Sequence, residues 1–323
     1  MRIALPPRID AAALAARDPS AAVLDLHGET MGTSWSVRFA APAGVDPTAI
    51  CKAIVARLSG LVAEMSHWEP DSLLSRFNRS APGTWTTLPP DFAHVMMRGL
   101  AIAETTNGAF DPAIGKLVDA WGFGVVPVTH VPSRLEVETA RASSGWRRLV
   151  FAPSGAHLRQ PGGLALDLSG IAKGHAVDAI ADLLHNSGIL NALVEIGGEL
   201  VGRGIKPNGD PWWVDLESPP GLALPALRIA LHGMAVATSG NYRRGAHTLD
   251  PRTGRPVETH VVSASVIHQT ALDANAWATA LTVLGQGGLE LAHDLGIAAR
   301  IVTVIDGTVQ EYLTPGLSAM VSD

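Results

Sequence analysis

The chain predicts an α+β fold, a single compact unit of mixed and antiparallel sheets packed with helices. Three observations carry this. Stretches with apolar residues at helical spacing are interspersed with several short strands in succession. No regular strand–helix–strand alternation runs throughout, which argues against a doubly wound parallel sheet. No short-period repeat and no linker divides the 323 residues, a length with ample material for a core.

Taken in order, residues 1–22 read as a flexible Ala/Pro-rich arm, so the folded unit is expected over residues 23–323. Residues 33–41 alternate as a first strand, ended by Pro42 and Gly44. Residues 48–65 form a helix whose Ile50, Ile54, Val55, Leu58, Leu61 and Val62 make one apolar stripe. Cys51 within it is the only cysteine; it excludes an internal disulfide and reads as a buried, inert thiol. A polar loop over 66–78 precedes a second helix, 91–106, closed by Asn107-Gly108. A loop over 109–124 and an uninformative link to about Ser144 lead to short strands near 147–152 and 164–168. A helix over 172–185 ends at Asn186-Ser-Gly188. Strands are then expected at 192–196, 212–217, 227–231, 235–238 and 261–267. A helix at 271–284, a short helix at 289–295 and a last strand at 299–305 complete the chain.

Composition excludes several classes of function. Hydrophobic residues make up 47% and charged ones 17%, a globular balance rather than a disordered one. The net charge of −6, with acids and bases mixed, leaves no electrostatic footprint for nucleic acid. The apolar stretch 114–128 is broken by Lys116, Asp119 and Pro127, so no membrane span is expected. Arg2, Arg8, Asp10, Arg17 and Asp18 interrupt any signal-peptide core, and with Met1 as the true start the expected location is cytoplasmic.

The most informative stretch is Asp167-Leu-Ser-Gly-Ile-Ala-Lys-Gly-His175. The short apolar run Leu164-Ala-Leu166 reads as a strand entering a helix, on which Ala176, Ile180, Leu183 and Leu184 recur at helical spacing. A carboxylate, two glycines and a lysine thus stand where helix N–H groups point outward. Such a junction can hold an anion and lets a ligand approach the backbone closely. It is the place for a phosphate-bearing ligand.

Other blocks stand around this junction. They are Met31-Gly-Thr-Ser-Trp35, Met65-Ser-His-Trp-Glu-Pro-Asp-Ser-Leu-Leu-Ser-Arg-Phe-Asn78, and Gly108-Ala-Phe-Asp-Pro-Ala-Ile-Gly115 with Trp121-Gly-Phe-Gly124. Further on come Glu195-Ile-Gly-Gly-Glu199, Ala237-Thr-Ser-Gly-Asn-Tyr-Arg243, His247-Thr-Leu-Asp-Pro-Arg-Thr-Gly254 and Asp273-Ala-Asn-Ala-Trp-Ala-Thr279. In this order and at these distances, over about residues 31–284, they resemble the FAD:protein FMN transferase (ApbE) family. The resemblance implies a T-fold-like architecture and Mg²⁺-dependent transfer of FMN from FAD to a Ser or Thr hydroxyl of a target protein, releasing AMP. Phosphoryl transfer of this kind needs cations on the phosphates, an in-line hydroxyl and a proton acceptor.

By resemblance, FAD is contacted by Met31, Trp68, Ala109, Phe110, Asp111, Asp167, Lys173 and Leu249. His247 accepts the hydroxyl proton, a task suited to a near-neutral imidazole. Gly170, Asn275, Ala278 and Thr279 hold the metal, Gly170 and Ala278 through carbonyls. Plainer readings stand beside these: Phe110 as core, Trp68 as a partly exposed packing residue, Lys173 as a solvated helix residue, Asp250 as a turn former.

The last block departs from the family. Relatives carry Asp where this chain has Asn275, four residues before a Thr on the same helix face. An amide brings no charge, and hard cations prefer carboxylates. Asp273 is the other candidate carboxylate, but two residues is about 200° around a helix, which turns it from that face; with Thr270 it fits a capping pair, the favoured reading. Ser169 also replaces the usual Gly and Lys116 the usual Pro. Two other activities stay open: an FAD-binding protein without transfer, and an FAD pyrophosphatase giving FMN and AMP. The expected acceptor is a flavoprotein or domain with a Ser/Thr-containing flavinylation motif.

Overall fold

The computed structural model describes residues 1–9, 11–125, 128–242 and 247–322. Among these, an eight-stranded sheet has the same order in space as along the chain. Its strands are β1 (Val23–Thr30), β2 (Thr33–Ala40), β3 (Ala192–Ile196), β4 (Glu199–Arg203), β5 (Met234–Gly240), β6 (Val261–His268), β7 (Ala298–Ile305) and β8 (Thr308–Leu313). Every neighbouring pair is antiparallel. The sheet is therefore a meander, and the helices are carried by its insertions. Helices α1 (Pro47–Met65), α2 (Pro90–Thr105) and α3 (Ala172–Asn186) lie between β2 and β3, and α4 (Ala271–Leu284) between β6 and β7.

Side chains of a strand alternate between its two faces, and this divides the core. On one face Val37, Val194, Ala237, Ala264 and Ile301 pack with Val177, Ile180, Ala274 and Leu281 of α3 and α4. On the other, Leu193, Val236 and Ile267 pack with Trp212, Ile229 and Leu231 of a second, four-stranded sheet. The predicted α+β class with antiparallel sheets is what the chain adopts. No helix of the described residues is long and apolar enough to cross a membrane.

Several local expectations are corrected. The first residues are not a loose arm: Arg2–Ala4 pairs in parallel with Leu227–Leu231 and antiparallel with Val321–Ser322. Ala4 is fully buried there, so backbone pairing and apolar burial together hold the terminus. Only the short helix Ala11–Ala15, which buries no residue, resembles a free arm. Residues 164–168 form no strand, because side chains satisfy their backbone instead. The Asn78 amide donates to the Leu166 carbonyl (3.0 Å) and accepts its N–H (2.8 Å). The Gln160 amide donates to the Leu164 carbonyl (3.1 Å), and the Asp167 N–H donates to the Pro112 carbonyl (2.9 Å).

The polar loop over 66–78 runs into a helix, Leu73–Arg79, capped by Ser72. The segments read as loop and link contain helices Gly115–Ala120 and Arg134–Ala142. Strands β1, β4 and β8 go beyond the sequence-based expectation. Cys51 is half-buried at the margin of the core rather than fully inside it.

Candidate active site

Three turns meet at one end of the large sheet: Met31-Gly32 between β1 and β2, Gly197-Gly198 between β3 and β4, and the end of β5 at Gly240. The Gly197 N–H donates to the Ser34 carbonyl (3.1 Å), tying the first two together. Both residues of the Met31-Gly32 turn have positive φ, 50° and 69°, as a two-residue hairpin requires. Asn or Gly takes that conformation cheaply; methionine does so at a cost. Met31 is held in it with its side chain on a cleft of about 690 Å³, shared with Met65, His67, Trp68, Ser169 and Lys173. Trp68 is 56% exposed at the rim, its ring 5.0 Å from that of His67. A flat ring system can lie against such a wall.

Helix α3 begins beneath the cleft with Ile171 as N-cap, which gives no side-chain cap, and the Ala172 N–H is taken by the Leu168 carbonyl (2.8 Å). Ala172 and Lys173 line the cleft, so the positive end of the helix borders it and favours an anion there. Lys173 stands on its first turn and places Nζ 2.6 and 2.8 Å from the two carboxylate oxygens of Glu199, which is 3% exposed. An ammonium carries three donors, so one direction stays available to the cleft. The Asn275 amide nitrogen donates to the same Glu199 carboxylate (3.2 Å), while its oxygen accepts the Gly174 N–H (3.4 Å). Sequence reasoning overlooked Glu199 as the hub, although its block was noted; charge pairing across distant elements has no sequence period.

Asn275 and Thr279 do share one face of α4, and the Thr279 hydroxyl lies beside Gly170, 3.2 Å from where a Cβ would stand there. That Thr279 hydroxyl donates to the Asn275 carbonyl (3.2 Å). Ala278 is inside an unbroken helix and its carbonyl accepts the Thr282 hydroxyl (2.9 Å), so α4 does not open at that position. Asp273 faces elsewhere, as its spacing predicts: it bonds Arg98 (2.7 Å) and the Thr270 hydroxyl (2.9 Å).

Asp167 accepts the Ser169 N–H (2.8 Å) with one oxygen and has the other 4.0 Å from His67 Nδ1. Burial pushes the nearby Asp119 carboxyl up, and the Asp167 charge adds to this. The His67 Nε2 is buried with no hydrogen-bond partner among the described residues, in a side chain that lines the cleft and can meet a ligand atom there. Ala109, Phe110 and Asp111 lie under the site rather than in that cleft. Phe110 is core, its ring against Gly170. Asp111 spends its oxygens on the N–H groups of Ala113 (2.7 Å) and Trp146 (3.0 Å); its carboxyl is pushed up to about 6, chiefly by burial.

Leu249 is buried in a separate small cluster with Leu117, Val137 and Ala140. His247 is half-buried and directly follows residues 243–246, which lie outside the described ones; Arg243, the last residue of the neighbouring block, is among these. It is not among the residues lining the cleft.

The donor set beside Gly170 is oxygen-rich and suits a hard cation in atom type. Its protein charge is spent, since the adjacent carboxylate, Glu199, is paired with Lys173. Among the described residues no group of three His, Cys, Asp or Glu side chains could hold a metal. These residues therefore fit a cation whose charge is met mainly by a bound diphosphate.

Comparison with known proteins places the chain in a family. A family model described as the ApbE family matches residues 31–301. The chain is 33% identical to the FAD:protein FMN transferase of Salmonella typhimurium, covering 94% of this chain and 91% of that one. Of solved structures, the flavin transferase ApbE from Vibrio cholerae superposes with a TM-score of 0.88 at 32% identity, covering 93% of this chain and 99% of that one. The apo flavinyl transferase ApbE of Pseudomonas stutzeri gives 0.87 at 34% identity, with 93% and 97% covered.

Proposed function

Since the chain belongs to the ApbE family, we propose that it transfers FMN from FAD to a Ser or Thr hydroxyl of an acceptor protein and releases AMP. The observation that carries this reading is one cleft lined by Met31, Trp68, Ser169 and Lys173 at the start of α3, with the Gly170–Thr279 contact next to Ser169 in the chain. An α-helix start and a lysine suit a diphosphate; a methionine and an exposed tryptophan on the same cleft suit the rings at its ends.

In this reading the α3 N–H groups and Lys173 hold the diphosphate. Met31 and Trp68 enclose a ring system, with Asp167 and the Ala109-Phe110-Asp111 run shaping the floor and Leu249 contributing backbone from its own segment. The acceptor oxygen forms a bond to the FMN phosphorus as the bond from that phosphorus to the AMP oxygen breaks. His247 takes the hydroxyl proton, and AMP leaves with the bond electrons. Gly170, Asn275 and Thr279 would hold Mg²⁺, which would supply positive charge to the reacting phosphates, while the Ala278 carbonyl stays engaged inside α4.

The test is to incubate the protein with FAD, Mg²⁺ and an acceptor domain that the Vibrio cholerae relative modifies, following AMP, free FMN and protein-bound flavin. AMP together with a covalently flavinylated acceptor is the expected result. AMP with free FMN means hydrolysis instead, and FAD retained without AMP means binding alone.

A further inference from the structure

On the other face of the sheet, at the same end as the FAD cleft, lies a second cleft of about 890 Å³ that no step above uses. Its walls are the Gly197-Gly198 turn, Leu200 of β4, Val214 in a strand of the second sheet, and Val236, Thr238 and Gly240 along β5. The edge of β5 in this cleft is unpaired among the described residues. Strand β5 pairs with β6 along its whole length from Ala235 to Gly240, but with β4 only from Met234 to Val236. There β4 ends in the turn at Glu199, and beyond Val236 no described backbone group takes up the outer edge of β5.

In an antiparallel strand every second residue turns its N–H and C=O to each neighbour. Among the described residues, alternate backbone groups of 237–240 therefore face the cleft without a strand partner, the arrangement that captures an extended peptide as an added strand. Lys173 lines the first cleft, and the Gly197-Gly198 turn lines this second one. The next residue, Glu199, carries the Lys173 and Asn275 contacts of the phosphate site. A strand added on β5 would continue the line of β4 and pass that turn. A hydroxyl on it would then face the Glu199–Lys173 pair that borders the FAD cleft. Gly198 has φ 98° and no atom within 4 Å of the place a Cβ would take, so that turn is uncrowded.

The geometry points to this edge as the docking site for the acceptor polypeptide: an extended, Ser- or Thr-bearing segment pairs with residues 237–240 and presents its hydroxyl across the Gly197-Gly198 turn. This rests on the proposed transferase reading, and it names where the protein substrate binds.

Two measurements with the full chain test it, using the acceptor domain modified by the Vibrio cholerae relative. Amide hydrogen exchange at 237–240 should slow when that domain is added to the FAD-loaded protein. Thr238→Arg and Val214→Trp, which obstruct the cleft from opposite walls, should raise the KM for the acceptor by about tenfold or more. FAD affinity, read by flavin fluorescence, should stay within about twofold of the parent, which also reports that each variant is folded. Unchanged exchange at 237–240, or an unchanged acceptor KM in both variants with transfer intact, overturns the docking site alone. If the parent chain modifies no acceptor at all, the transferase reading fails and the docking site falls with it.

Discussion

At residue 275 an amide stands where the family motif leads one to expect a carboxylate, and its surroundings show what the amide does. Asn275 donates to Glu199, which a carboxylate could not do. An aspartate here would face Glu199 at about the same 3.2 Å, with Lys173 alone to balance two charges. Asn275→Asp is therefore expected to destabilise the metal-free protein by on the order of 1–3 kcal/mol, through a lost donor and charge repulsion. Mg²⁺ should restore more stability to the variant than to the parent. Thermal unfolding across a Mg²⁺ titration without FAD checks this, and equal responses would remove Asn275 from the cation site.

Asp111 offers a second test at this scale. Its carboxyl, raised from 3.8 to about 6 mainly by burial, favours the neutral form in the folded protein. A raised acid contributes stability that is fully present below the unfolded value and lost as pH climbs through the folded one. The parent should lose on the order of 2–3 kcal/mol from this group between about pH 4 and pH 7. Asp111→Asn should lack that decline, although it sacrifices one of the two N–H contacts. Denaturant midpoints of the two proteins across this pH range make the comparison; parallel profiles would count against a buried, neutralising carboxyl.

At the scale of elements, the site depends on how closely α3 and α4 approach. A Cβ on Gly174 would collide with the Ala271 carbonyl, so the helices meet backbone to backbone. Asp178 of α3 fixes that contact by accepting the N–H groups of Ala271 and Leu272, both at 2.9 Å. It serves as a cap supplied by a neighbouring helix, beside the cap that Thr270 gives from its own chain position. Asp178→Ala should cost about 1–2 kcal/mol in chemical denaturation by leaving two helix N–H groups without an acceptor. Because α4 carries Asn275 and Thr279 against Gly170, FAD affinity should fall as well. A variant with lower stability and unchanged FAD affinity would show that the two helices hold the site independently.

For the whole molecule, local periodicity is a good guide and long-range pairing is not legible from it. Helix α4 and strands Ala192–Ile196 and Leu227–Leu231 have the bounds their apolar spacing implies. Helix Arg134–Ala142 escapes the apolar spacing although Ser133 and Glu136 spell a capping box, a signal present in the sequence. Residues 164–168 mislead because an apolar run looks alike whether its backbone meets a strand or the amides of Asn78 and Gln160. Nor can periodicity bring the first residues to the last, where Arg2–Ala4 sits between Leu227–Leu231 and Val321–Ser322. The junction at Lys173 is legible as an anion site; that Glu199 binds both Lys173 and Asn275 is not. Such a hub exists only once β4, α3 and α4 are packed together.

The central claim is transfer of FMN from FAD onto a protein hydroxyl. Mass spectrometry of the acceptor domain, after incubation with this protein, FAD and Mg²⁺, tests it most directly. The account predicts one FMN added to a Ser or Thr of the acceptor with an equal amount of AMP released. An unmodified acceptor, with FAD either intact or split to free FMN, would contradict it.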